Sequence, residues 1–517
     1  MRTRLSRLRF VSLSKCLLLL ALVFASLPVW ASWYLPLFDL PNHLAAISVW
    51  RNLGDPSFGL DAFYSLNLQP VPYWGYFASV MALSRVVGIE IANKLFITAY
   101  VVATVWAVAR LARRTGRDPR LALLVFPFLF TASFKWGWLS FLGGVPTFLF
   151  SVELLLICIE QPSWKRNLML AALALLTYAM HILPWFALGV VAIVFLSLSI
   201  RRWRAALLAG AALLPSLALA IYNFLHAKPA SSSPHSVFRP GKLIAAWEDV
   251  HRSLRFMPSR FVNVSDAPIE LFTAAIFAAV VLIALVSGFR RQPTPQATPP
   301  ATRLARWAPE IVAVVLTALY FTLPIHIRQP VRWWGINFRV VPVLGMFLVL
   351  LVRGRLDGWR RVLLGAAVMV FAVRAVWLTL EFREFNRRAA GFDRVLTRVP
   401  TGASVLFLCF ERGDERTFYH AESFSEMGGY IQVRRGGYYP YQFEAGFPML
   451  PKADTRLPGP GWSTSINEFN PAVQASRYAF VLTYVEPAQG VAFRSKGAPV
   501  PPLVAESGRW RLYQTGR

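Results

Sequence analysis

The chain has 517 residues, 56% of them hydrophobic, yet it carries 54 Lys and Arg against 26 Asp and Glu, a formal net charge of +28. A nucleic-acid binder would gather such charge on one folded face beside stacking aromatics; here the basic residues fall between apolar runs, each long enough to cross a hydrocarbon core of roughly 30 Å. Composition therefore excludes an ordinary soluble protein, and the charge reports Lys and Arg retained in short cytoplasmic turns, with no nucleic-acid partner.

The N-terminus, MRTRLSRLRF, places four arginines before an apolar run from Cys16 to Trp33. This reads as a signal anchor with a cytoplasmic N-terminus, as in the inner membrane of a bacterium. Val29-Trp30-Ala31 also suits a signal peptidase, so a cleaved signal peptide is the alternative. Residues 33–90 hold Asp39, Asp55, Asp61 and Glu90 against Arg51 and Arg85, which suits a long external loop. Within it, YWGYFASVMALSRVVG is too short for a confident crossing and ends without a basic cluster, so it is expected to lie in the interface.

The run from Ile91 to Ala112 ends in RLARRTGRDPR, a cytoplasmic turn. Later inward turns are expected at Lys165-Arg166, Arg201 to Arg204, Arg290 to Arg306 and Arg353 to Arg361. The expected architecture is mainly α: a polytopic bundle of about eleven spans. One span precedes the first loop and one starts at Ile91; pairs then bracket Lys135, His181, the 225–267 loop and the 326–338 loop, and a last span covers 362–380. The odd number leaves the C-terminus outside. The Pro-rich stretch at 293–300 is a cytoplasmic linker. The membrane part, 1–383, gives way to a soluble periplasmic α/β domain over 384–517, where ASVLFLCF and YAFVLTYVE are short β-type runs. Its segment GGYYPYQFEAGFP offers either a carbohydrate-facing tyrosine platform or, the commoner use, aromatics packed on a sheet. Cys16, Cys158 and Cys409 suggest no disulfide framework and no metal-type spacing.

Chemistry is suggested first by FDLPNHLAAISVWRN, which begins at Phe38 where the first span emerges. A carboxylate at that boundary, made more basic by partial desolvation, can take a proton from a hydroxyl, so Asp39 is a candidate general base. The competing use is capping of a helix that starts near Leu40 with Pro41 in its first turn, Asn42 and His43 then being cap neighbours. Lys135, in SFKWGWLSFLGG, and His181, in TYAMHILPWF, lie at external hairpin tips and are candidates for binding; a helix-end cap is the plainer role for the histidine. IHIRQPVRWWGINFR puts Arg328, Arg332 and Arg339 on an outward loop against the positive-inside tendency, whether for a ligand or for lipid headgroups. The 226–267 loop, with His235, Glu248, Asp249, His251, Arg252, Arg255 and Arg260, suits a lid, and its histidines lack a zinc-type spacing. The sequence contains no P-loop, dinucleotide fingerprint or serine-nucleophile elbow.

From Met1 to about Arg204 this order and orientation resemble the GT-C superfamily of integral-membrane glycosyltransferases, in particular the group containing protein O-mannosyltransferases and the bacterial aminoarabinose lipid A transferase. The D-x-P-N-H-L string from Asp39 to Leu44 resembles the acidic motif of many bacterial members. The resemblance implies a polyprenyl-phosphate-linked sugar donor, an acceptor hydroxyl on a glycan, lipid or protein, transfer with inversion at the outer face, and Asp39 as base. Arginines then hold the leaving lipid phosphate. Arg339 matches the arginine that many relatives carry at the start of that span, with Arg332, Arg328, Lys135, His181, His43 and Asn42 as further binding candidates. No cofactor is expected, and a divalent metal has no support. Members of the group often carry two adjacent acidic residues where this chain has Asp39 followed by Leu40, which keeps a non-catalytic scaffold for envelope polysaccharide assembly among the alternatives. A transporter or flippase is another, although it would place ionisable residues at the midplane and repeat its halves.

Overall fold

The computed structural model describes residues 19–67, 71–226, 242–262, 268–289, 302–329, 333–354, 356–411, 424–442 and 448–515. Within the run expected to be the first span, Leu19–Trp30 forms α1. The segment expected to be the first external loop folds as α2 (Leu40–Asn52), β1 (Tyr64–Leu66) and α3 (Trp74–Val87). At 14 residues, α3 is about 21 Å long, too short to cross a core of about 30 Å. α4 (Ile89–Arg114) has 26 residues, about 39 Å, and carries its arginines past the apolar length. The run ahead of Lys135 is a 3-10 helix, Pro119–Leu129, with Pro127 inside. At about 2 Å per residue its 11 residues span about 22 Å, because proline leaves no amide to continue an α-ladder.

A short α5 (Ala132–Lys135) turns the chain into α6 (Leu139–Glu160), after which come α7 (Trp164–Met180), α8 (Ile182–Leu198), α9 (Trp203–Ala211) and α10 (Leu214–Leu225). β2 (Ile244–Ala246) and α11 (Val250–Val262) are the described elements of the 225–267 loop, followed by α12 (Pro268–Phe289) and α13 (Arg303–Thr322). The hairpin β3 (His326–Gln329) and β4 (Trp333–Trp334) leads into α14 (Ile336–Leu350), and α15 (Trp359–Ala389) closes the bundle. Among the described residues four helices, α4, α6, α13 and the one beginning at Trp359, are long and apolar enough to cross a membrane alone; α8 and α9 make a fifth crossing if their 83° bend falls within one span. α15 has 31 residues, about 46 Å, so it leaves the apolar layer and delivers the chain to the C-terminal sheet; position 383 lies inside it.

The described parts of the five turns expected to face inward meet at one end of the bundle; the Pro-rich stretch at 293–300 lies outside the described residues. Arg202 donates to the Glu160 carbonyl, Arg166 to that of Gln161, and Thr302 to the Glu160 carboxylate. Arg117 is buried and holds Glu310 with two bonds of 2.7 and 2.8 Å, while reaching the carbonyls of Arg306 and Leu350. Arg120 links Asp118 to Asp357. Bidentate pairs of this kind fix orientation as well as charge.

The C-terminal region forms a four-stranded sheet in the order β5-β7-β9-β8, where β5 is Val405–Cys409, β7 Phe480–Tyr484, β8 Leu503–Ser507 and β9 Trp510–Gln514. β5 and β7 are parallel and buried at all five positions each, which explains their unbroken apolar sequences. The remaining pairs are antiparallel. The tyrosine segment resolves in favour of packing: Tyr438, Tyr439 and Tyr441 are buried, while its residues 443–447 lie outside the described residues.

This region grips the first external loop. β1 pairs with β6 (Met449–Pro451), and α17 (Gly429–Arg435), which follows the short α16 (Phe392–Leu396), packs along α2. Tyr34 hydrogen-bonds Asp393 and Asn386, and Arg434 pairs with Glu90.

Candidate active site

At the end of the bundle opposite the arginine-rich turns, four segments remote in sequence converge on Asp39. Asp39 stands at the N-cap of α2, followed by Pro41 in the first turn, but its side chain makes no capping hydrogen bond. The Trp138 indole N–H is the neighbouring donor that favours the ionised form of this carboxylate. Asp39 is half-buried, so its carboxylate is partly withdrawn from solvent. Burial pushes its carboxyl up to about 7, against the opposing pull of the Arg339 charge and the Trp138 bond.

The loop 135–138 is fastened to this position through the backbone. Phe38 donates to the Lys135 carbonyl at 3.0 Å and Asp39 to the Trp136 carbonyl at 3.1 Å. The approach requires glycine at 137, where φ is +74° and a Cβ would sit 3.1 Å from the Asp39 and Leu40 nitrogens. Trp138 then does two things: its N–H reaches Asp39, and its ring lies under the Arg339 guanidinium at 3.5 Å.

Arg339, on the first turns of α14, is buried, donates to the Trp334 carbonyl at 2.9 Å, and has no partner for its Nε. A second guanidinium nitrogen lies 3.1 Å from His181 Nε2. The Leu183 amide donates to His181 Nδ1 at 3.0 Å, which places the neutral ring's proton on Nε2. Two donors therefore face each other, an arrangement that an entering acceptor oxygen would satisfy on both sides. His181 does cap α8 through Nδ1, as the plainer expectation held, while its other nitrogen faces Arg339.

Tyr73 and the tryptophans complete the wall. The Tyr73 ring meets His181 edge-on at 4.9 Å, held there by a backbone with φ +87° at a non-glycine residue. Trp333 lies against His181 at 5.5 Å, and Trp334 meets Trp136 at 4.7 Å. The external loop covers this corner: α11 packs on α14, Arg260 pairs with Glu248 and lies over Phe338, and β2 pairs with β3. The lid residues between 227 and 241, His235 among them, lie outside the described residues.

The candidate residues thus separate. Asp39, Arg339 and His181 come together, with Lys135 contributing its backbone carbonyl to Phe38. Asn42 turns away to a buried hydrogen bond with Glu426 of the C-terminal region. His43 is buried among Tyr76 and Phe77 and donates to the Gly137 carbonyl; burial pushes it down to about 3, so it stays neutral and fastens the loop. Both side chains build the frame of the site. Arg328 is exposed on β3, and Arg332 lies outside the described residues. Trp138, Tyr73, Gly137 and Gly335 were not anticipated as site residues. Among the described residues no group of three or more His, Cys, Asp and Glu side chains is arranged to hold a metal ion.

No family model and no curated protein matches the sequence. Solved structures do match. ArnT from Cupriavidus metallidurans in the apo state superposes with a TM-score of 0.50 over 99% of this chain and 98% of that one, at 12% identity. The same protein bound to undecaprenyl phosphate gives a TM-score of 0.50 over 97% of both chains, at 12% identity. The chain has a GT-C-like fold. With its apolar helices, this makes it a multi-pass integral membrane protein. The GT-C-like likeness extends across the C-terminal sheet as well as the bundle, since both chains are covered nearly in full. At 12% identity it transfers architecture, so the roles of individual side chains rest on their geometry here.

Proposed function

We propose that this protein is a membrane glycosyltransferase that moves a sugar from a polyprenyl-phosphate-linked donor to an acceptor hydroxyl on a glycan, lipid or protein. It acts at the periplasmic face of a bacterial inner membrane, the N-terminus and the arginine-rich turns lying in the cytoplasm. In the reaction the acceptor oxygen attacks the anomeric carbon from the side opposite the phosphate. The bond from that carbon to the phosphate oxygen breaks, its electron pair leaves with the polyprenyl phosphate, and the acceptor proton passes to Asp39. The sugar inverts. Arg339 and the Nε2 proton of His181 hold the leaving phosphate through charge-assisted bonds in a water-poor recess. The scheme calls on no cofactor.

The observation that carries this reading is the pairing of an uncapped, partly accessible Asp39 with a buried Arg339 whose Nε has no partner and whose neighbour His181 presents a second donor. A base and an anion trap joined by one tryptophan suit acid–base chemistry next to a phosphate leaving group. The solved ArnT complex with undecaprenyl phosphate supports the donor class through fold alone. The test is a titration of the purified full-length chain with undecaprenyl phosphate, read by native mass spectrometry. Arg339→Ala should weaken binding by about 10- to 100-fold, the value of one or two charge-assisted hydrogen bonds of about 1.5–3 kcal/mol. Equal binding by wild type and variant would refute the assignment.

A further inference from the structure

A cavity of 410 Å³, not lined by Asp39, Arg339 or His181, lies between α1, the Pro119–Leu129 helix and α15. Its walls are apolar, with Phe24, Leu123, Phe130, Val368 and Phe371 among them, and Arg120 and Arg361 stand at one end. Arg374 also borders it, but that charge is matched by Glu270 in a buried two-oxygen contact and by the Phe130 carbonyl. Leu20 and Met369 line the cavity and are at the same time 53% and 66% exposed, so it opens sideways onto the lipid-facing surface. Along α15 the lining runs from Arg361 to Leu378, about 26 Å of helix, enough to lie along an extended acyl chain.

The charged end is the informative one. Arg120 and Arg361 share Asp357, and Arg120 also holds Asp118. Their neighbours Arg117 and Arg353 share a single carboxylate, Glu310, so positive charge is in excess there. This is the end of the bundle opposite Arg339 and Asp39. A reacting donor phosphate cannot occupy both ends, and a polyprenyl tail brings no anion to the arginines. A molecule with a negative headgroup at the level of Arg120 and Arg361 and hydrocarbon beyond it matches both features.

We propose that the cavity is a binding site for an anionic phospholipid of the leaflet opposite the active site. Its phosphate sits on Arg361 and Arg120, and one acyl chain lies between α1 and α15. A cavity of 410 Å³ falls within the usual range for small-ligand sites. The lipid would fill the contact between α1 and α15, where helix packing leaves a gap.

The test uses the full chain in mild detergent, with phosphatidylglycerol and phosphatidylcholine of identical acyl chains as probes and native mass spectrometry as the readout. Wild type should retain phosphatidylglycerol at least tenfold better. Arg361→Gln should lose that preference. Gly365 borders the cavity on α15, and a Cβ there meets nothing within 4 Å, so Gly365→Leu should fill the groove without disturbing the fold. It should unfold thermally at or above the wild-type temperature and retain at least tenfold less of the lipid. Equal retention of the two lipids by wild type, unchanged retention by Gly365→Leu, or a bound mass matching a polyprenyl phosphate would each overturn the proposal.

Discussion

Asp39→Asn keeps the size of the side chain and removes the proposed base. A positioned general base contributes about 10²- to 10⁴-fold to a rate, and the single-turnover release of polyprenyl phosphate from a polyprenyl-phosphate-linked sugar should fall by that factor. The pH dependence is the sharper measurement. With the Asp39 carboxyl held up at about 7, only the ionised form can accept the proton. The wild-type rate should therefore drop roughly tenfold per unit as pH falls below 7, and level off above it. Stability should respond in the opposite sense. The folded chain keeps this proton up to about 7, whereas an unfolded aspartate releases it near 3.8, so between those values the folded state binds more protons and loses stability as pH rises. At pH 8 the buried carboxylate carries its full cost, and Asp39→Asn should be at least as stable as wild type there. A flat rate profile from about pH 5.5 to 8.5, or loss of folding along with activity in the variant, would refute the reasoning.

Two further substitutions separate the parts of the site, and a third tests the bundle that carries it. Trp138→Phe keeps a ring under Arg339 but deletes the indole N–H that pulls the Asp39 carboxyl down, so the midpoint of the pH–rate profile should move above 7; an unmoved midpoint would remove that bond from the account. Gly335→Val places a side chain where φ is +70° and a Cβ would lie 2.5 Å from Phe338 and Trp138 atoms, and should cost about 1–3 kcal/mol in thermal unfolding and weaken undecaprenyl phosphate binding. Glu270→Ala leaves Arg374 buried without its carboxylate and should cost about 3–5 kcal/mol in detergent, most of it regained when both residues become leucine.

The bundle was legible because its signals are local. Apolar run length, arginine clusters and the change of period near Glu381 are read residue by residue, and the turns they mark meet at one end. Asp39 was legible for the same reason, as an acidic residue where a span meets water. Its companions were not. SFKWGWLSFLGG drew attention to its cation, yet the side chain that joins Asp39 to Arg339 is Trp138, three residues on, aimed there by the four-residue α5 and the left-handed Gly137. Asn42 and His43 sit in the motif and looked like site residues. Their partners, Glu426 and the Gly137 carbonyl, come from distant segments that no periodicity encodes. The tyrosines of 436–448 read equally well as a platform or as core, since an aromatic run alone does not state which face is covered.

The buried polar residues of α2 explain how the C-terminal region bears on the candidate site. A thirteen-residue helix with Asn42, His43 and Ser48 all buried would be costly if those groups lacked partners, about 1–3 kcal/mol each. One group of each is matched: the Asn42 amide donates to Glu426, the Ser48 hydroxyl to the Gln432 carbonyl, and the His43 ring to that of Gly137, while Asn42 Oδ1 is left unmatched. Two of the three partners belong to the C-terminal region, and the third to the loop that carries Trp138. Polar pairs of this kind tolerate little sliding, because a shift of one residue along α2 would leave several unmatched at once. The same bonds that hold α17 on α2 therefore set where Asp39 stands relative to Trp138 and Arg339. A lone carboxylate can then serve as base with no second acidic residue beside it: Leu40, in the place where a second acid would stand, is buried and fills the core beneath the motif. The frame, through desolvation, already raises the one carboxyl to a working range near neutrality.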